Sequence, residues 1–154
     1  MSDKLIYCPI LKTNINVINM TETVDFINEH MDELRGDYIC ISNVHTTVMA
    51  YHDDKYRKVQ NEAAMGLPDG KPLSIVSKMR GFHGAERVPG PDLMPELFRL
   101  SEKKGYSHYF YGSTQDTLDK LQEAILKEYP KLNIAGMYSP PFRILSSEEE
   151  QEII

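Results

Sequence analysis

The sequence predicts an α/β fold, and three observations predict it. Short runs rich in β-forming residues alternate with segments whose apolar residues recur at helical spacing. Several of those runs pass directly into residues that open helices: Asn43, Pro68-Asp69-Gly70 and Gly112-Ser113-Thr114. The 154 residues are 41% hydrophobic and 26% charged, the balance of one globular domain spanning 1–154 and large enough to bury a core.

The elements follow in order. Leu5-Ile6-Tyr7-Cys8 and the alternating Lys12 to Val17 form a small N-terminal β-hairpin. Thr21 caps a helix reaching Leu34, with Val24, Ile27, Met31 and Leu34 on one face, and Gly36 stops it. Tyr38 to Ser42 is a strand with Asn43 at its C-terminal end. Val44 to Tyr51 is helical, and Asp53 or Asp54 begins a further helix reaching Ala64. Met65-Gly66-Leu67 is a very short strand feeding Pro68-Asp69-Gly70, and Lys71 to Met79 is the next helix, with Pro72 tolerated in its first turn. Gly81 to Gly90 is a polar loop. Pro91-Asp92 opens a helix closed by Gly105, which accepts Pro95 only in its first turn. His108 to Tyr111 is a strand, Gln115 to Tyr129 a helix, and Asn133 to Met137 a final strand. This alternation predicts a Rossmann-like, largely parallel sheet flanked by helices.

Charge and cysteine usage exclude several classes. The net charge of −6 and the absence of a dense Lys/Arg cluster argue against a nucleic-acid surface. Cys8 and Cys40 sit in apolar runs and read as free thiols of a reducing cytosol. The N-terminal apolar run is too short for a signal peptide, and nothing approaches the ~18 apolar residues of a membrane span. The five histidines form no metal-ligand spacing with the cysteines, so no metal is expected. Tyr106, Tyr109, Phe110 and Tyr111 read as a core strand rather than a stacking platform. The serines lack the Gly-x-Ser-x-Gly elbow of one hydrolase class.

The chemistry concentrates at predicted strand ends. Asp69, in the Pro-Asp-Gly turn, is the candidate base; helix capping is the alternative, and spacing alone favours capping. Asn43 offers an amide that can orient a sugar or nucleotide, or simply shape a turn. Arg87 suits a diphosphate through its bidentate edge, or else pairs with Glu86 or Asp92. Gly112, Ser113 and Thr114 place backbone amides at a helix start, an anion site or an ordinary cap. The Gly-x-Gly-x-x-Gly fingerprint is missing, which disfavours a dinucleotide-dependent oxidoreductase.

Taken together in chain order, seven elements resemble the WecG/TagA/CpsF glycosyltransferase family, with wording nearest its CpsF-like capsule branch. They are Ile41-Ser42-Asn43, Asn61-Glu62-Ala63-Ala64, Leu67-Pro68-Asp69-Gly70, Glu86-Arg87-Val88-Pro89-Gly90-Pro91-Asp92-Leu93, Tyr111-Gly112, Tyr129-Pro130 and Pro140-Pro141-Phe142. The resemblance implies an inverting transfer of a sugar from a UDP-sugar to a lipid-diphosphate-linked acceptor in surface or capsular polysaccharide synthesis. It implies Asp69 as base, Asn43 in the substrate pocket and Arg87 as a phosphate contact, with no cofactor. It also implies a cytoplasmic protein peripheral to the cytoplasmic face of the membrane. Two departures stand out: Ile41 occupies a position where the family often has Thr, and the family's C-terminal portion, with its Gly-x-Pro-x-Gln-Glu segment and basic membrane-contacting tail, is absent. A capping-box pattern at Ser146 with Glu149, or Ser147 with Glu150, starts a helix that the chain leaves after two turns at most. A glycosyltransferase, either truncated or observed as a fragment, is therefore the first expectation, and a catalytically incomplete nucleotide-sugar-binding or partner subunit the second. The apolar Ile153-Ile154 end adds the expectation of a homo-oligomer.

Overall fold

The computed structural model describes residues 5–143 together with Ser146, Glu149 and Gln151. They belong to two compact units, Met1–Leu97 and Phe98–Ile154. The α/β class is observed in both. The elements are β1 (Tyr7–Ile10), β2 (Thr13–Asn16), α1 (Met20–Glu29), β3 (Ile39–Ser42), α2 (Val44–His52), α3 (Asp54–Glu62), β4 (Met65–Pro68), α4 (Lys71–Met79), α5 (Gly90–Lys104), β5 (Ser107–Tyr111), α6 (Gln115–Glu128) and β6 (Asn133–Tyr138).

In the first unit β1 and β2 form the antiparallel hairpin, turned by Leu11 and Lys12 at positive φ. The parallel pair is β3 and β4, in register from Ile39 opposite Met65 to Ser42 opposite Pro68. All four β4 residues are buried, as a strand covered on both faces requires. Met65 and Leu67 are the centre of a core shared with Ile18, Ile27, Val88 and Leu93. Burying each such side chain contributes about 1.5–3 kcal/mol. The hairpin is fitted to β4 through Gly66. Its N–H donates to Asn16 Oδ1 at 2.6 Å, and a Cβ at Gly66 would lie 2.6 Å from the Asn14 carbonyl oxygen. Only glycine allows that approach.

Two helix boundaries differ from the sequence reading. Asn19, not Thr21, caps α1: its Oδ1 accepts from Glu22 N while the Glu22 carboxylate accepts from Asn19 N, a complete capping box. The helix ends at Glu29 rather than Leu34. His30 stacks on Phe26 at 4.2 Å, and residues 30–36 continue as hydrogen-bonded turns to Gly36 at φ +81°. Pro95 is the sixth residue of α5, outside the first turn. The helix carries it at the cost of the amide that would otherwise reach the Pro91 carbonyl.

In the second unit β5 and β6 are parallel, with an irregularity between His108 and Tyr109. Phe98, Ile125, Tyr129 and Leu132 form its core, packed by Phe110, Leu121 and Ile134. The expectation of a core aromatic strand holds for one face only. Because side chains alternate across a strand, His108 and Phe110 turn toward Phe98, whereas Tyr109 and Tyr111 are 57% and 54% exposed. Ser146 and Glu149 form the anticipated capping box, with Ser146 N donating to Glu149 and Glu149 N to Ser146 Oγ. Arg143 makes a two-armed ion pair with the same carboxylate, which falls to a pKa of about 2 chiefly through that hydrogen bonding. The alternative box at Ser147 and Glu150, and the Ile153-Ile154 end, lie outside the described residues.

Candidate active site

The parallel register of β3 and β4 creates the site. Ser42 lies opposite Pro68, so the next residues, Asn43 and Asp69, leave the two strand ends side by side. Asp69 N donates to the Ser42 carbonyl at 2.8 Å, which extends the ladder by one bond and fixes the backbone under the carboxylate. Strand ends of a parallel pair are where this fold class places its chemistry.

Asp69 is not a helix cap. Gly70 occupies the N-cap position of α4 without a side-chain bond, and Asp69 precedes it. The capping alternative is thereby removed. Its carboxylate is 29% exposed, accessible to a ligand yet shielded by neighbours.

Asn43 performs the capping that Asp69 does not. Its Oδ1 accepts from Thr46 N at 3.1 Å, and Thr46 Oγ1 accepts from Asn43 N at 2.9 Å. The amide oxygen is therefore engaged, leaving the Nδ2 group to offer a ligand donor hydrogen bonds. Asn43 also flanks the turn after β4: a Cβ at Gly70 would sit 3.9 Å from that of Asn43. Under this pair, Ser42 Oγ donates to Gln60 Oε1 at 2.8 Å, and Gln60 Nε2 donates to Tyr56 OH at 3.2 Å. This buried chain holds α3 against the end of β3. Sequence reading missed Thr46, Gln60 and Tyr56. The Asn-x-x-Thr spacing after the strand was an available signal for Thr46, whereas nothing local marks Gln60.

Arg87 joins them from the loop before α5. Val88 N donates to Pro68 O at 2.7 Å and Glu86 N to Ile18 O at 3.1 Å, so the backbone is pinned on both sides. Between these anchors, Arg87 Nε donates to the Asp69 carbonyl at 2.5 Å, and Nη2 lies 3.6 Å from Asp69 Oδ1. Its ion-pair partner is thus Asp69, neither Glu86 nor Asp92. Asp92 lies in the first turn of α5, as its position suggested. Ile41 stands two residues before Asn43 and packs toward Gly90, whose Cβ would lie 3.6 Å from Ile41 Cγ1.

Gly112, Ser113 and Thr114 belong to the second unit. Gly112 and Ser113 have φ of +121° and +64°, and Thr114 caps α6. The Gly112 N–H already donates to Tyr138 O at 2.9 Å, so it is not an open anion donor. Asp116 lies in the first turn of α6 and pairs with Lys120 at 2.7 Å, placing negative charge where an anion would approach.

A cleft of about 250 Å³ is lined by Met20, Thr21, Val24, Asp25 and Glu96, and contains none of the predicted site residues. Among the described residues no three His, Cys, Asp or Glu side chains come together as metal ligands, and both cysteines are free. Partial burial pushes the Cys40 thiol pKa up. No helix of the described residues is long and apolar enough to cross a membrane.

The arrangement of Asn43, Asp69-Gly70 and Arg87 coincides with a family match over nearly the whole chain. The model of the glycosyl transferase WecG/TagA/CpsF family matches residues 8–154. The chain belongs to that family. It is 29% identical over 119 residues to an N-acetylglucosaminyldiphosphoundecaprenol N-acetyl-beta-D-mannosaminyltransferase of Bacillus subtilis (strain 168), covering 77% of this chain and 46% of that protein. A protein of the same name from Bacillus spizizenii (strain ATCC 23059 / NRRL B-14472 / W23) is 28% identical over 107 residues, 70% of this chain and 42% of its own length. One from Staphylococcus aureus (strain NCTC 8325 / PS 47) is 23% identical over 124 residues, 79% and 48% respectively. The chain spans about half the length of the curated relatives it matches.

Proposed function

We propose that the chain is an inverting glycosyltransferase that moves a sugar from a UDP-sugar to a lipid-diphosphate-linked acceptor in surface or capsular polysaccharide synthesis. The observation that carries this reading is the convergence of Asn43, Asp69 and Arg87 at the ends of β3 and β4. The relatives' names, which specify a diphosphate-linked acceptor and a mannosaminyl group transferred, support it.

Asp69 takes the proton from the acceptor hydroxyl as that oxygen bonds to the anomeric carbon. The bond from the anomeric carbon to the UDP oxygen breaks on the opposite face, and UDP leaves with the electron pair. Arg87 offers two terminal N–H edges to the developing diphosphate charge. Asn43 Nδ2 holds a sugar or nucleotide oxygen. In the second unit, taken by itself, the Gly112 to Thr114 turn keeps the amides from Ser113 onward as a candidate anion contact. The protein works at the cytoplasmic face of the membrane, where a lipid-linked acceptor is presented, and its exposed apolar groups favour a homo-oligomer. Light scattering across a concentration series tests that last point, and a strictly monomeric profile rejects it.

A second reading, a nucleotide-sugar-binding or partner subunit without turnover, draws on one observation: Arg87 Nη2 lies 3.6 Å from Asp69 Oδ1 and balances its charge. The deciding experiment is transfer from a UDP-sugar to a lipid-diphosphate acceptor by wild type and Asp69→Asn. Transfer that disappears with Asp69 supports the enzyme, and binding of UDP without any turnover supports the subunit.

A further inference from the structure

We propose that Arg87 is a shared cation. It balances the charge of Asp69 and turns to a diphosphate when one arrives, so that the carboxylate and the donor compete for one guanidinium. This deepens, and rests on, the donor-site reading above.

The geometry of the pair is uneven. Arg87 Nε is tightly bonded to the Asp69 backbone carbonyl at 2.5 Å, whereas the contact to the carboxylate is 3.6 Å, longer than the ~2.7–2.9 Å of a charge-assisted hydrogen bond. The guanidinium is anchored at one nitrogen and loosely held at its outer edge. The flanking bonds from Val88 to Pro68 and from Glu86 to Ile18 hold the loop, which confines any adjustment to the side chain. Arg87 is 47% exposed, so water already weakens its attraction for Asp69. A diphosphate presents more charge and several oxygens to the same fork. Competition between the two anions therefore favours the ligand.

Asn43, whose oxygen is already engaged by Thr46, does not compete for the cation.

Calorimetric titration of inorganic pyrophosphate and of UDP into four proteins tests this: wild type, Asp69→Asn, Arg87→Gln and the double variant. Removing the carboxylate frees the shared cation, so Asp69→Asn is expected to bind both ligands roughly two- to fivefold more tightly, the range of an exposed ion pair. Arg87→Gln is expected to bind roughly tenfold or more weakly, as loss of a charge-assisted contact predicts. In the Arg87→Gln background, Asp69→Asn should bring no gain. If the gain persists without Arg87, it is simple repulsion between Asp69 and the phosphates, and the shared-cation proposal is overturned. If wild type binds both ligands and Asp69→Asn binds them equally, the proposal also falls while the donor-site reading survives. If no protein of the four binds either ligand while all keep wild-type melting curves, the donor-site reading itself fails. Arg87→Lys guards against a folding artefact: it keeps the charge and removes the Nε anchor, and should restore part of the affinity.

Discussion

Two parallel strand pairs frame the two units, and among the described residues only the β3–β4 pair brings candidate site side chains together. At β3 and β4, both strand ends carry polar residues, the strands are pinned by the hairpin, and β4 is buried throughout. At β5 and β6, the outward face shows Tyr109 and Tyr111 to solvent, and the turn after β5 uses its first amide on its own neighbour. The same local topology therefore yields a fixed platform in one unit and a softer, open-faced pair in the other. Strand order alone does not make a site. What makes it is burial that holds the strand ends still, plus a third element that adds a charge.

The largest expected effect falls on the chemistry of the fixed platform. Asp69→Asn should lower glycosyl transfer by about 10²–10⁴-fold, the range of a lost general base, while leaving the melting temperature near that of wild type. Gly112→Ala, at φ +121°, should strain the turn after β5 and reduce stability by more than its effect on transfer rate. A loss of transfer equal to that of Asp69→Asn would move the catalytic weight toward the second unit.

The glycines sharpen the contrast in rigidity. A Cβ at Gly66 would meet the Asn14 backbone carbonyl at 2.6 Å, and one at Gly136 would meet the Tyr109 ring at 2.7 Å. Backbone cannot yield, whereas an exposed tyrosine ring can swing away. Gly66→Ala should therefore cost about 3 kcal/mol in denaturant unfolding, and Gly136→Ala less than about 1 kcal/mol. Equal costs would erase the distinction drawn between the two pairs.

A smaller effect separates the units by pH. Burial beside Phe98 lowers the pKa of His108, whose Nε2 lies 2.7 Å from Ser101 Oγ. A depressed histidine resists protonation when folded, so its contribution is complete above the ordinary value near 6.5 and declines as the pH falls below it. Melting curves between about pH 7.5 and 5.5 should show that decline, and His108→Gln should flatten it. The smallest expected change is that of Asp116→Asn. Its loss of an exposed pair with Lys120 should shift stability by no more than about 0.5 kcal/mol.

Much of this architecture is legible from sequence, because its signals are local. The hairpin, the bounds of α4 and the Asn43 and Asp69 strand ends follow from alternation, proline placement and turn residues. The true cap of α1 also has a local signal, the Asn-x-x-Glu spacing from Asn19 to Glu22, which competes with Thr21. Pro95 falls beyond the first turn because α5 begins at Gly90, ahead of the Pro91-Asp92 start that the sequence suggests. The pairing of Arg87 with Asp69 belongs to another category. Eighteen residues separate them, and their meeting depends on Val88 and Glu86 bonding to two different elements. No window of sequence contains that information. The exposure of Tyr109 and Tyr111 was lost for a similar reason: an aromatic run shows β-propensity clearly but not which face is covered.

The hairpin has a consequence for how this chain behaves in a crowded cell. Exposed strand rims recruit other strands, and such recruitment seeds aggregation. On β1, Pro9 has no N–H to offer, and its carbonyl accepts from Arg80 Nη1. On β2, the Asn61 side chain imitates a peptide group, accepting from Asn14 N at 2.9 Å and donating to Lys12 O at 3.0 Å. A residue on a helix thus closes the strand's open rim with one amide. Asn61 thereby occupies backbone groups that a strand of another chain would need on that side of the hairpin.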